Sequence, residues 1–103
     1  MSKLIDIVAN TMKLALVDKV VLLKENNRYS IYSKHDLNYI GELEESSGLC
    51  YFNYYNHRMD IPRVHALVTL IKKFLSNNFK PVKSDITIDN HVYYRITEKY
   101  YVN

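Results

Sequence analysis

An apolar stripe in residues 60–78 is the feature that most constrains how this chain can fold. The stripe consists of Val64, Leu67, Val68, Ile71, Phe74 and Leu75. Spacings of three and four positions place these residues on one face of a helix. Asp60 is expected as the N-cap, Pro62 fits the first turn, and Asn77 and Asn78 end the helix. The stripe needs cover, so a second layer must pack against it.

A second amphipathic helix is predicted over residues 2–17. Its apolar face is formed by Leu4, Ile5, Val8, Met12 and Ala15. Asp6, Asn10 and Lys13 fall on the opposite face, and Ser2 is available as the N-cap. The helix should end near Asp18, where β-branched residues take over.

Two hairpins are predicted between these helices. In the first, Asn26-Asn27 suits a two-residue turn, which places Glu25 opposite Arg28. In the second, residues 45–48 are expected to form the loop. That loop sets Leu43 opposite Cys50, Gly41 opposite Phe52 and Tyr39 opposite Tyr54.

A third hairpin is predicted at the end of the chain. A three-residue loop over residues 89–91 pairs Ile88 with Val92 and Ile86 with Tyr94. All apolar residues of both strands then share one face, whereas a one-residue slip would move one strand's set into water.

The order of elements is therefore α-ββ-ββ-α-ββ in a single domain of residues 1–103. Short loops make the strands antiparallel. Because both helices need cover, they should pack on one face of the sheet. The predicted fold is a two-layer α+β domain.

The sequence shows no catalytic or metal-binding constellation. HExxH and CxxC motifs are absent, and no metal or cofactor is expected. Cys50 is expected to lie on the inward side of its strand as a small apolar residue rather than a nucleophile. Glu42, Glu44 and Glu45 are interpreted as a solvated acidic loop. The chain is thus predicted not to be an enzyme.

Composition favours a cytoplasmic protein. The single cysteine fits a reducing compartment, and no apolar run approaches the ~20 residues needed to span a bilayer. Abundant Tyr, Asn, Lys and Ile have A/T-rich codons, which indicates an AT-rich genome such as that of many phages.

The stretch "CYFNYYNHR" suggests a binding surface. Strand alternation turns Tyr51, Asn53 and Tyr55 away from the helices, so these residues should be at least partly exposed. Tyr93 and Arg95 are expected to point the same way on the last hairpin. Exposed Tyr and Arg are typical of protein-binding surfaces and also suit base stacking, although tyrosines also simply favour strands.

A basic group forms the alternative surface. It consists of Arg63, Lys72, Lys73, Lys80 and Lys83, on the second predicted helix and just after it. These residues are either a solvated helix face or a patch that contacts phosphates. The net charge of +3 permits contact with nucleic acid without arguing for it.

In the order of its elements alone, the chain resembles the double-wing DNA-binding domain of phage middle-promoter activators, which would imply DNA binding. The favoured hypothesis is instead a non-enzymatic binding module, an accessory protein of phage or mobile-element type. It would engage a host macromolecule, protein or nucleic acid, through the Tyr/Arg surface. A homodimer formed through that surface or through a sheet edge is a further alternative.

Overall fold

The structure is a computed structural model. It describes residues 3–46, 48–89 and 91–99, with the backbone but not the side chains at 80–85, 93 and 95–99. Two helices are present, α1 (Leu4–Ala15) and α2 (Pro62–Asn78), the second preceded by a 3₁₀ turn (Asn56–Asp60). The strands are β1 (Val20–Glu25), β2 (Arg28–Ser33), β3 (Tyr39–Ser46), β4 (Leu49–Tyr55), β5 (Phe79–Ile88) and β6 (His91–Lys99).

The strands form one antiparallel sheet in the order β1-β2-β3-β4-β6-β5. The first hairpin has the predicted register, with Glu25 opposite Arg28 and Leu22 opposite Ile31. Asn26 takes the positive φ of 55° that a two-residue turn requires.

Both helices bury their apolar faces against one side of the sheet, which confirms the α+β class. All six residues of the α2 stripe are buried, and α1 buries Ile5, Val8, Ala9 and Met12. The sheet contributes Leu22, Tyr29, Ile31, Leu43, Phe52, Tyr54, Val92 and Tyr94 to this core. Neither helix is long and apolar enough to cross a membrane among the residues described.

The helix ends differ from prediction in detail. Ile61 is the N-cap of α2, because Asp60 is taken up in the 3₁₀ turn, whereas Pro62 does occupy the first turn. In α1, Lys3 is the N-cap, and the expected cap Ser2 lies outside the described residues. Ala15 is exposed rather than buried, and Leu16, four positions after Met12, is buried at this end of the apolar face instead.

The predicted register of the second hairpin is wrong by two residues. Leu43 lies opposite Phe52 rather than Cys50, and Ser46 lies opposite Leu49. Gly48 has φ of 76°, which allows a two-residue connection, so the strands extend through the expected loop. A shift of two positions keeps every side chain on its predicted face of β4.

The predicted register of the third hairpin is wrong by one residue, which has larger consequences. Ile88 pairs with His91 and Ile86 with Tyr93, so the connection has two residues. Asp89 has φ of 51°, as such a turn requires. Turn geometry has outweighed hydrophobic alternation on this edge strand, and Ile88 is left 57% exposed.

A polar network fixes α1 on the sheet. The Tyr29 hydroxyl donates to Asp6 Oδ1 at 2.5 Å, and Lys24 Nζ donates to the same oxygen at 3.2 Å. These two hydrogen bonds are the main reason that the pKa of the Asp6 carboxyl lies below its ordinary value. Burial, together with the bond to Asp6, raises the pKa of Tyr29 to about 12.

This network predicts a pH dependence of stability. Because the Asp6 pKa is lowered in the folded state, its contribution is complete above the ordinary value of 3.8 and is lost as pH falls through the folded value. Asp6→Asn should therefore destabilise the protein at neutral pH, and its stability should converge with that of the wild type in acid. Urea unfolding from about pH 6 to about pH 3 measures this. Exposed Asp18→Asn is the control and should stay parallel to the wild type; an Asp6→Asn curve that also stays parallel contradicts the prediction.

Candidate functional site

The side of the sheet opposite the helices, here called the open face, carries the predicted binding residues. Tyr51 and Tyr55 lie on it and are half-buried, as expected from strand alternation. Register places the backbones of Tyr93 and Arg95 opposite Asn53 and Tyr51. The side chains of Tyr93 and Arg95 lie outside the described residues.

An aromatic row crosses the open face. It consists of Tyr32, Tyr39, Tyr55, His57 and His91. Ring centroids are 5.8 Å apart between Tyr32 and Tyr39, and 6.3 Å apart between Tyr39 and Tyr55. Tyr55 then stacks on His91 at 4.5 Å and lies 5.7 Å from His57. The row therefore presents a continuous aromatic surface over strands β2, β3, β4 and β6.

Tyr39 links Tyr32 to Tyr55 in this row, and sequence reasoning placed it on the wrong face. The pairing of β2 with β3 shifts between Ile31 and Tyr32, so that Ile40 is buried and Tyr39 turns outward. The available signal was that isoleucine is the more apolar of the two neighbours at positions 39 and 40.

Tyr39 is held in place on both sides. Its hydroxyl donates to Glu42 Oε1 at 3.2 Å, and burial, with the Glu42 charge, raises its pKa. Arg58 Nε donates to the Tyr39 carbonyl at 3.0 Å, and its guanidinium lies 5.8 Å from the ring centroid. Arg58, another residue that sequence reasoning missed, thus links the 3₁₀ turn to the aromatic row.

A charged cluster adjoins the row. Asn53 Nδ2 donates to Glu44 Oε1 at 2.8 Å and to Glu42 Oε2 at 3.4 Å. Arg28 pairs with Glu42 at 3.2 Å and with Glu44 at 3.4 Å. The interpretation of these two carboxylates as a solvated loop is therefore wrong, because β3 continues through them.

The expected partial exposure of Asn53 is also wrong, since its exposed fraction is 0%. Its side-chain amide binds the two carboxylates instead of standing in solvent. Asn53 therefore holds the two glutamates of the open face in position and has no exposed surface that a partner could contact.

Glu45 has a separate structural role on the helix side of the sheet. Its Oε1 accepts a hydrogen bond from the backbone N–H of Ile5 at 3.2 Å. The carboxylate thus caps the N-terminus of α1 from a neighbouring element, a place where negative charge is favourable.

The described members of the predicted basic group, Arg63, Lys72 and Lys73, do not form one free patch. Arg63 Nε pairs with Asp36 at 3.2 Å. Lys72 leans over the sheet, with Nζ 3.3 Å from the Tyr54 hydroxyl, so it does not lie on the outer helix face. Lys73 is exposed, whereas the side chains of Lys80 and Lys83 lie outside the described residues.

Cys50 is fully buried, and burial raises the pKa of its thiol to about 12. A thiol held in its neutral form is a poor nucleophile. Among the residues described, no group of three or more His, Cys, Asp or Glu side chains is arranged to hold a metal ion.

In comparisons with known proteins, no family model, no curated protein and no solved structure matches this chain significantly.

Proposed function

We propose that the chain is a non-enzymatic binding module whose open face engages another protein. The observation that carries this proposal is the aromatic row. Five rings are aligned across one side of a sheet whose opposite side holds both helices. The three tyrosines of the row are half-buried and lie beside Arg58, which is the composition of interface hot spots. Their ordering on binding costs little entropy because they already pack against one another.

The charges on the open face favour a protein over a nucleic acid. Glu42 and Glu44 lie beside the row, where they would oppose a phosphate backbone. Of the described cations near the row, Arg28 is paired with these two carboxylates, and Arg58 donates to the Tyr39 carbonyl. On the other side of the molecule, Arg63 is likewise paired with Asp36. Nucleic-acid binding remains the competing proposal, and it requires Lys73 together with Lys80 and Lys83.

Removing two rings from the open face tests the proposal. The double variant Tyr51→Ala with Tyr55→Ala should remain folded, since both rings are only half-buried. It should bind the partner more weakly by about 2 kcal/mol, or roughly 30-fold, because hot-spot aromatics contribute energies of this size. The partner is first captured from nuclease-treated lysate, and its affinity for the purified variants is then measured by calorimetry.

The matched control is His65→Ala with Thr69→Ala, which truncates two exposed residues on the outer side of α2. It should bind as tightly as the wild type. Circular dichroism melts establish that both double variants are folded. Equal affinity of the two double variants overturns the proposal, as does an unfolded tyrosine variant. Capture that disappears on nuclease treatment favours the nucleic-acid alternative.

A further inference from the structure

Strand β1 ends the sheet with one side unpaired among the described strands. Glu25 and Arg28 flank a two-residue turn, so they form a pair joined by backbone hydrogen bonds. From this pair onward, hydrogen-bonded and non-hydrogen-bonded pairs alternate along β1 and β2. Consistent with this alternation, Lys34 N–H donates to the Lys19 carbonyl at 3.0 Å. It follows that the backbone N–H and C=O groups of Leu22 and Lys24 point away from β2. These groups are a template for an additional strand.

An apolar groove of about 280 Å³ runs along this edge, between the C-terminal end of α1 and β1. It is lined by Lys13, Val17, Val20, Val21, Leu22 and Lys34. Val17 is 55% exposed on the helix side of the edge, and Leu23 is 51% exposed on the open-face side. An added strand would therefore find apolar contacts for the side chains on both of its faces.

The groove is positively charged. Lys13 and Lys34 lie at its walls, and no acidic side chain of the described residues lines it. Both lysines are held in position: Lys34 Nζ donates to the Val17 carbonyl at 3.2 Å, and Lys13 Nζ lies 5.5 Å from the Tyr29 ring centroid. Such fixed cations select a negatively charged occupant.

We propose that the β1 edge and its groove bind an extended, acidic and apolar segment of another protein, which adds to the sheet as a seventh strand. Main-chain hydrogen bonds to Leu22 and Lys24 supply part of the affinity. Valine-like side chains fill the groove, and carboxylates pair with Lys13 and Lys34. This surface is separate from the aromatic row, so the proposal does not depend on the function proposed for the open face.

Charge argues against a second copy of this chain as the occupant. In antiparallel pairing of two β1 strands, the C-terminal end of one strand meets the N-terminal end of the other. Lys24 of the second copy would then lie near Lys34, which is bonded to the residue just before β1. Lys24 Nζ bonds to Asp6 of α1 and Lys34 Nζ bonds to the Val17 carbonyl at the same edge, so the pairing would bring like charges together.

A synthetic octapeptide tests the proposal. The probe is a fluorescein-labelled peptide of four valines flanked on each side by two glutamates, and its binding is followed by fluorescence anisotropy. Lys13→Glu with Lys34→Glu should weaken binding at least about tenfold, because attraction becomes repulsion. Lys13→Arg with Lys34→Arg should bind within about threefold of the wild type. Lys3→Glu with Lys73→Glu, two exposed lysines outside the groove, is the control for net charge.

Hydrogen exchange supplies an independent readout. The amides of Leu22 and Lys24 should exchange more slowly when the peptide is added, which a contact with lysines alone would not produce. The Tyr51→Ala, Tyr55→Ala variant should bind the peptide as the wild type does. The proposal is overturned by equal binding to the charge-reversed variant, by equal binding of a peptide with lysine in place of glutamate, or by unchanged exchange. A dimer whose Leu22 and Lys24 amides are already protected also overturns it, because a second copy then occupies the edge.

Discussion

Gly41→Ala should destabilise the protein by about 3 kcal/mol, the upper end of the cost of overpacking a core. A β-carbon at this position would lie 2.3 Å from the backbone carbonyl oxygen of Asn53 and 3.0 Å from Phe52 Cε1. The carbonyl belongs to β4, which is fixed between β3 and β6, so it cannot retreat without disturbing the pairing on both sides. The Phe52 ring is fully buried, so it can move only by displacing its neighbours in a close-packed core.

Urea unfolding of the purified variant measures this effect, with Gly48→Ala as the matched control. Gly48 has no atom within 4 Å of a built β-carbon, so only its φ of 76° opposes a side chain. That backbone strain should cost about 1 kcal/mol. A Gly41→Ala variant that is no less stable than Gly48→Ala would show that β3 and β4 can separate locally at little cost.

The sidedness of the sheet was predictable because it depends on local periodicity. The α2 stripe and the first hairpin are patterns complete within one segment, and the structure confirms both. Alternation along β4 likewise placed Phe52 inward and Tyr51 outward before any pairing partner was known. The error of two residues in the pairing register left these orientations unchanged, because side chains along a strand alternate between the two faces with a period of two.

The registers of the later hairpins were not predictable from apolar alternation. Each depends on whether a turn residue adopts positive φ, as Gly48 and Asp89 do. In the third hairpin the preference for the two-residue turn outweighs the burial of one apolar side chain on an edge strand, and Ile88 is therefore exposed. A correct prediction would have weighed the two-residue turn first and the apolar pattern second.

The details of the open face depend on those registers. The Asn53 amide reaches the carboxylates of Glu42 and Glu44 because Glu42 lies opposite Asn53. The register predicted from the sequence was wrong by two residues and did not pair these positions. The irregularity near Tyr32 that turns Tyr39 outward is a property of two strands together. No single strand shows it, so the aromatic row appears only in three dimensions.

Asn53→Leu should destabilise the protein by about 2–3 kcal/mol at pH 7, because it removes a hydrogen-bond donor from two partly buried carboxylates. Asn53 is fully buried and its Nδ2 reaches both Glu42 and Glu44. Leucine has a similar volume, so the loss reports the missing hydrogen bonds rather than a cavity. After the substitution Arg28, half-exposed, still pairs with both carboxylates, and the Tyr39 hydroxyl still donates to Glu42.

A double-mutant cycle separates the polar effect from packing. Glu44→Gln should lower the free energy of unfolding by less than Asn53→Leu does. The double variant should be more stable than the sum of the two single losses predicts, because one of the carboxylates that lost its donor is no longer charged. Asn10→Leu, an exposed asparagine on α1, should change stability by less than about 0.5 kcal/mol. Additive free energies of unfolding in the cycle would mean that Asn53 supports the open face through shape alone. A positive coupling would mean instead that the charged cluster of Glu42, Glu44 and Arg28 supports the aromatic row, so that disturbing the cluster also destabilises the row.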